Sequence, residues 1–170
     1  MLIRRGLILF AAVFAARGAV AQVVKPAQTV EPTFAVTIRL EPDVVKVNSE
    51  IRVKTTLINK SNGKVSFERS PEDMAELEFR AYVRDNQGNP APLTEYGRHV
   101  LKGEGSLPPL VTHFAGFSTL QPGESLKCDV VITRFYDLSQ PRKYTIQVER
   151  IHDSLKMVAK SNTITVTVTP

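Results

Sequence analysis

A chain of 170 residues, 42% hydrophobic and 23% charged, has the composition of a folded globular protein, and a single cysteine excludes an internal disulfide. The formal net charge of +5 overstates the basic character, because Arg4, Arg5 and Arg17 precede any acid. Without residues 1–21, Lys+Arg falls from 22 to 19 against 17 Asp+Glu, a net charge of +2, a near balance that speaks against nucleic acid or acidic lipid as partner.

The N-terminus reads as an export signal. Met1–Arg5 is basic, 6–16 is apolar, and Ala19-Val20-Ala21 fits a small-x-small cleavage site, so the exported chain is expected to begin at Gln22. The apolar run is shorter than the ~20 residues a bilayer span needs, and no second one follows. Arg4-Arg5 also permits a twin-arginine reading, although two arginines are ordinary in a secretory signal. The domain reading is a signal peptide at 1–21, an extension at 22–32 and one β-domain at 33–170.

Period-two alternation then dominates. Phe34, Val36, Ile38 and Leu40 share one face, and Glu41-Pro42-Asp43 ends the run. Val45 and Val47 lead into Ile51, Val53, Thr55 and Leu57. Asn59-Lys60-Ser61-Asn62-Gly63 is a turn cluster; its match to a glycosylation sequon is incidental beside a bacterial-type signal. Val65 and Phe67 form a short strand. Ser70–Glu76, with an N-cap serine, Pro71 next and acids in the first turn, reads as one short helical turn. Leu77, Phe79, Ala81 and Val83 alternate until 85–90 stop them. Leu126, Cys128, Val130 and Ile132 share an apolar phase, which places the thiol in the core. In the last strand Ile164, Val166 and Val168 point one way and Thr163, Thr165, Thr167 and Thr169 the other.

These elements predict an all-β fold, an immunoglobulin-like antiparallel β-sandwich of 8–9 strands with at most one short helical turn. The segment YDLSQPRKYTIQV, 136–148, reads as a sandwich corner. Leu138 is expected to plug the core, Asp137 to hold backbone amides, and Tyr144 to bond back to the crossing loop.

LQPGESL, YDLS…KYTIQV and SNTITVTV resemble the closing strands of exported bacterial immunoglobulin-like domains. Similar corners occur in the non-catalytic β-domain of deuterolysin-like metallopeptidases and in BsuPI-type proteinase inhibitors. The resemblance covers 117–169 and, more loosely, Val47–Asn59. It implies a fold and no activity: the His-Glu-x-x-His helix of a peptidase has no counterpart here.

Chemistry-bearing patterns are few. His99, His113 and His152 are not paired at ligand spacing; a metal site from His99, His113 and Glu104 is the sharper reading, three solvated histidines the simpler. Cys128 lacks the electropositive setting of a reactive thiol. No Gly-x-Ser-x-Gly elbow, P-loop or dinucleotide fingerprint occurs, so neither catalysis nor a cofactor is expected. The remaining feature is the Pro- and Gly-rich stretch 90–113, with Tyr96, Arg98, His99, Lys102, Leu107 and Leu110 as candidate binding residues. Arg98–Leu101 reads equally as a strand within it. The expected function is an exported, non-catalytic module binding another protein through loops at one end, 90–113 with help from 61–75. The alternatives are a proteinase inhibitor offering Leu107-Pro108-Pro109-Leu110 to a protease, and strand addition along an exposed edge at 163–169.

Overall fold

The computed structural model describes residues 33–70, 77–105, 116–152 and 157–170. The expectations for 1–32, for the turn at 71–76, and for Leu107, Leu110 and His113 lie outside the described residues. Within them, nine strands and two short helices follow in the order β1 Phe34–Arg39, β2 Val44–Lys46, β3 Arg52–Asn59, β4 Val65–Arg69, β5 Phe79–Asp85, α1 Glu95–Lys102, β6 Gly116–Leu120, β7 Ser125–Val131, α2 Ile132–Phe135, β8 Lys143–His152 and β9 Met157–Thr169.

Two sheets form the sandwich. One has the order β1-β3-β7 and the other β2-β9-β8-β5; β4 and β6 make a separate ribbon. All pairings are antiparallel except β2 with β9, where Val44–Lys46 runs parallel to Thr167–Thr169. The alternation seen in the sequence is the cause. Val36, Ile38, Val53, Leu57 and Val130 of one sheet meet Ala81, Val83, Ile146, Val148 and Val166 of the other in a single core. Their neighbours Thr37, Lys54, Arg80, Arg84 and Thr165 face solvent.

Asn59 ends β3 fully buried. Its amide nitrogen donates to the carbonyls of Gly63 (2.8 Å) and Leu120 (2.9 Å), and its Oδ1 accepts from the Ser61 N–H and hydroxyl. One side chain thus ties the β3–β4 turn to the end of β6 and satisfies its own buried polar atoms.

Four expectations are corrected. The threonine-rich end of the chain is no exposed edge: β9 pairs with β8 on one side and, at 167–169, with β2 on the other. Helical content exceeds one short turn. Arg98–Leu101 is neither strand nor loop but part of α1, and Ile132 leaves the strand to begin α2. Cys128 is half-buried, because β7 lies at the side of its sheet. β9 also starts earlier than the alternation indicates. A register shift between Gln147 and Glu149 of β8 inserts Ser161 and Asn162, which breaks the period of two. Ser161 secures this bulge by accepting from the Val148 N–H at 2.9 Å.

Candidate functional site

α1 is built from explicit stop and start signals. Thr94 is its N-cap, with the hydroxyl oxygen accepting from the Gly97 N–H at 2.9 Å; Glu95 occupies the first turn, where a negative charge suits the helix dipole. Gly103 closes it in the left-handed conformation (φ 67°), its N–H returning to the His99 carbonyl at 3.0 Å. The helix is seated on α2. Thr94 donates its hydroxyl to the Arg134 carbonyl (2.5 Å) and its N–H to that of Phe135 (3.0 Å). The Tyr96 and Phe135 rings lie 5.4 Å apart, and the Arg134 guanidinium stacks 4.8 Å over Tyr96.

This seating opens a cleft of about 420 Å³ between α1, the Pro90–Leu93 segment and the face of β5. Ala91, Leu93, Leu101 and Tyr136 give it an apolar lining, and Arg80, Arg98 and Lys102 surround that lining with positive charge. No carboxylate lines it among the described residues. Arg98 is held by donating to the Leu93 carbonyl at 3.0 Å, and the Tyr136 hydroxyl donates to the Ala81 carbonyl at 2.6 Å beneath it. Burial holds the Tyr136 phenol above its ordinary pKa. At one margin Tyr82 donates to the Glu149 carboxylate. Burial, and then that bond, push the Tyr82 phenol up, against the pull of Arg80.

The candidate residues of 90–113 therefore separate. Arg98 and Lys102 share the cleft. Tyr96 is turned into the contact between the helices, and His99, half-buried with its Nδ1 shielded from solvent and unbonded, is not part of the lining. Arg80 and Tyr82 were not legible as site residues. They belong to a strand far away in sequence, and nothing in the alternation of β5 marks which neighbour faces them.

The corner residues lie elsewhere. Tyr144 is buried and donates to the Gln140 carbonyl at 3.0 Å, Leu138 is buried in the core, and Asp137 accepts from the Ser139 N–H at 3.0 Å. The bonds from Ser139 hold the Asp137 carboxyl below its ordinary pKa. A second cleft, of about 380 Å³, adjoins this corner with Lys46, Glu50, Arg134 and Asp137 in its lining, a mixture of charges that favours no ligand sign.

One ionic cluster is buried between the sheets. Glu78 receives Arg150 and, at 3.1 Å, Arg69, as well as the Ser70 N–H at 2.7 Å. The Arg150 guanidinium lies 4.8 Å from the Phe67 ring centre and 5.3 Å from that of Phe79. Arg150 also donates from a terminal nitrogen to the Glu68 carbonyl at 3.3 Å, while its Nε is buried with no hydrogen-bond partner among the described residues. Desolvation, then the nearby Glu78, pushes the Cys128 thiol up to about 11. Among the described residues no three His, Cys, Asp or Glu side chains gather as a metal site would require, and no helix is long and apolar enough to cross a membrane.

No protein-family model matches the chain, and no curated protein matches it. Among solved structures it is similar to the sporulation control protein Spo0M of Bacillus subtilis, with 11% identity and a TM-score of 0.47, over 82% of this chain and 51% of that one. It is similar to a CARDB domain from Pyrococcus furiosus at 17% identity and a TM-score of 0.39, over 81% and 94%. A β-glucosidase of Listeria innocua aligns at 13% identity and a TM-score of 0.39, over 81% of this chain and 16% of the enzyme. The chain thus spans about half of Spo0M and a small part of the glucosidase, and at these low similarities no function is carried over.

Proposed function

We propose that this chain is an exported, non-catalytic β-sandwich that binds a protein partner at the end carrying α1, by receiving an acidic segment with aliphatic side chains. Residues 1–21 direct export, and 33–170 form the working domain. The carrying observation is the cleft between α1 and β5, where Arg80, Arg98 and Lys102 ring an apolar lining. An acidic polypeptide segment meets both features at once: its carboxylates pair with the cations, and its aliphatic groups leave water against Leu93 and Leu101. Arg98 and Lys102 stand on one helix whose both ends are capped, so they are presented on a rigid element rather than a mobile one.

The test uses fluorescent peptides combining Glu or Asp with Leu and Val, beside counterparts in which the acids are replaced by Lys, followed by anisotropy. The acidic peptides are expected to bind, the basic ones not, and the double variant R98E/K102E to lose the binding while still unfolding in one cooperative transition. Equal binding of both peptide classes, or an unaffected double variant, overturns the reading.

A further inference from the structure

The sides of a β-sheet carry unpaired N–H and C=O groups, and proteins normally block them. Leaving aside the β4-β6 ribbon, the two sandwich sheets have four sides, and three of these are blocked by identifiable means. On β5, the Ala81 carbonyl is taken by the Tyr136 hydroxyl, the Val83 carbonyl by the Ala91 N–H, and the Asp85 N–H by the Asn89 carbonyl. On β1, the Asn162 side-chain amide imitates a strand, accepting from the Ile38 N–H at 2.8 Å and donating to the Ile38 carbonyl at 3.0 Å. β2 is three residues long and ends near Asn48, whose φ of 63° breaks the extended course. β7 is different. It is seven residues long, it stands at the outside of β1-β3-β7, and no device of this kind meets it among the described residues.

We infer that β7 pairs antiparallel with β7 of a second copy of this chain, about a two-fold axis at Cys128. The charge pattern selects this occupant and this register. Lys127 and Asp129 are both exposed, two residues apart, on the outer face of the strand. In an antiparallel self-pairing about a two-fold axis normal to the sheet, directly opposite residues share a face, so the axis passes through a residue. Centred on Lys127, it sets lysine against lysine. Centred on Asp129, it sets aspartate against aspartate. Centred on Cys128, it sets Lys127 against the second copy's Asp129 twice over, and on the inner face Leu126 against Val130. Opposite charges directly across a strand pair attract and like charges repel, so one of the three registers is favoured and the other two are penalised. Within one chain Lys54 already stands opposite Asp129, and Arg52 lies 3.8 Å from it. The joined sheets therefore continue an alternation of charge, Lys54, Asp129, Lys127, across the seam. The contact is isologous and closes at two copies, because each β7 is consumed by the other. A strand without this order of charges gains less, which makes the same residues a filter against indiscriminate strand addition.

The experiment is sedimentation velocity of the purified chain across a concentration series, with three variants whose folding is checked by melting. The wild type is expected to sediment as a monomer–dimer equilibrium that weakens with added salt. K127D puts aspartate opposite Asp129 and is expected to raise the dimer Kd on the order of tenfold or more; D129K does the same with lysines. The double variant K127D/D129K restores opposite charges and is expected to recover the dimer, which a merely structural loss would not do. A monomeric wild type at high concentration, or single variants that dimerise as the wild type does, overturns the inference. So does a double variant no better than the singles. Because neither residue lines the α1–β5 cleft, peptide binding by these variants reports separately on the proposed function.

Discussion

Gly97 and Phe135 lie so close that a Cβ on Gly97 would stand 1.9 Å from the Phe135 carbonyl oxygen. Glycine inside a helix normally costs ~1 kcal/mol relative to alanine. Here it is what lets α1 sit on the backbone of α2. Gly97→Ala therefore reverses the usual sign. The propensity gain is outweighed by a clash with rigid backbone, and overpacking of this kind costs ~1–3 kcal/mol. Thermal unfolding should shift downward, and peptide binding should weaken as Arg98 and Lys102 are displaced. A higher melting temperature would show that α1 floats free of α2.

Two tyrosine hydroxyls can be ranked. Tyr136 donates to the Ala81 carbonyl at 2.6 Å in a buried setting, whereas Tyr144 donates to Gln140 at 3.0 Å in a partly buried one. Removing a donor from a buried carbonyl costs ~1–3 kcal/mol. Tyr136→Phe is expected near the upper part of that range and Tyr144→Phe near ~1 kcal/mol. For a domain of this size each kcal/mol moves the melting temperature by ~2–4 °C. An unchanged melting curve for Tyr144→Phe would remove the tyrosine from the corner's stability.

The buried ion cluster makes a third case. Glu78→Ala leaves the Arg150 guanidinium, whose side chain is 6% exposed, without its carboxylate. Breaking one half of a buried pair costs ~3–5 kcal/mol. Replacing both members, as E78L/R150M, is expected to cost less than Glu78→Ala alone, since no uncompensated charge remains. Denaturant unfolding of wild type, Glu78→Ala and the double variant decides it; a double variant that loses as much as Glu78→Ala, or more, would mean that the unpaired charge is not what costs.

Cys128 supplies a pH profile. With its thiol pushed up to about 11, the reactive thiolate at pH 8 is about one part in a thousand. An unperturbed thiol near pKa ~8.5 would be about one-quarter ionised there. Maleimide labelling of the native protein should be slower than that of the denatured chain by on the order of a hundredfold, and should climb tenfold per pH unit toward 11. A plateau near pH 8.5 would place the thiol in water.

The strands were legible because burial on one side of a sheet imposes a period of two, as Phe34, Val36 and Ile38 or Ile51, Val53, Thr55 and Leu57 display. Legibility failed where that period is interrupted. Ser161 and Asn162 sit in a bulge, so the first part of β9 shows no clean alternation. α1 carried its own signals, Thr94 and Glu95 at one end and Lys102-Gly103 at the other, but Gly97 in its interior and the surrounding prolines disguised them.

By itself, then, the sequence determined the all-β class, the strand faces, and the presence of Arg98 and Lys102 in an unusual segment. These follow from local periodicity and residue type, which need no knowledge of distant partners. Only the tertiary structure decided that Arg80 joins Arg98 and Lys102 around one cleft, that the threonine-rich strand is paired on both sides at 167–169, and that β7 stands at the outside of its sheet. Those are relations between strands far apart in the chain. They are set by which apolar faces meet in the core and which backbone groups find partners, and no stretch of the sequence records that choice alone.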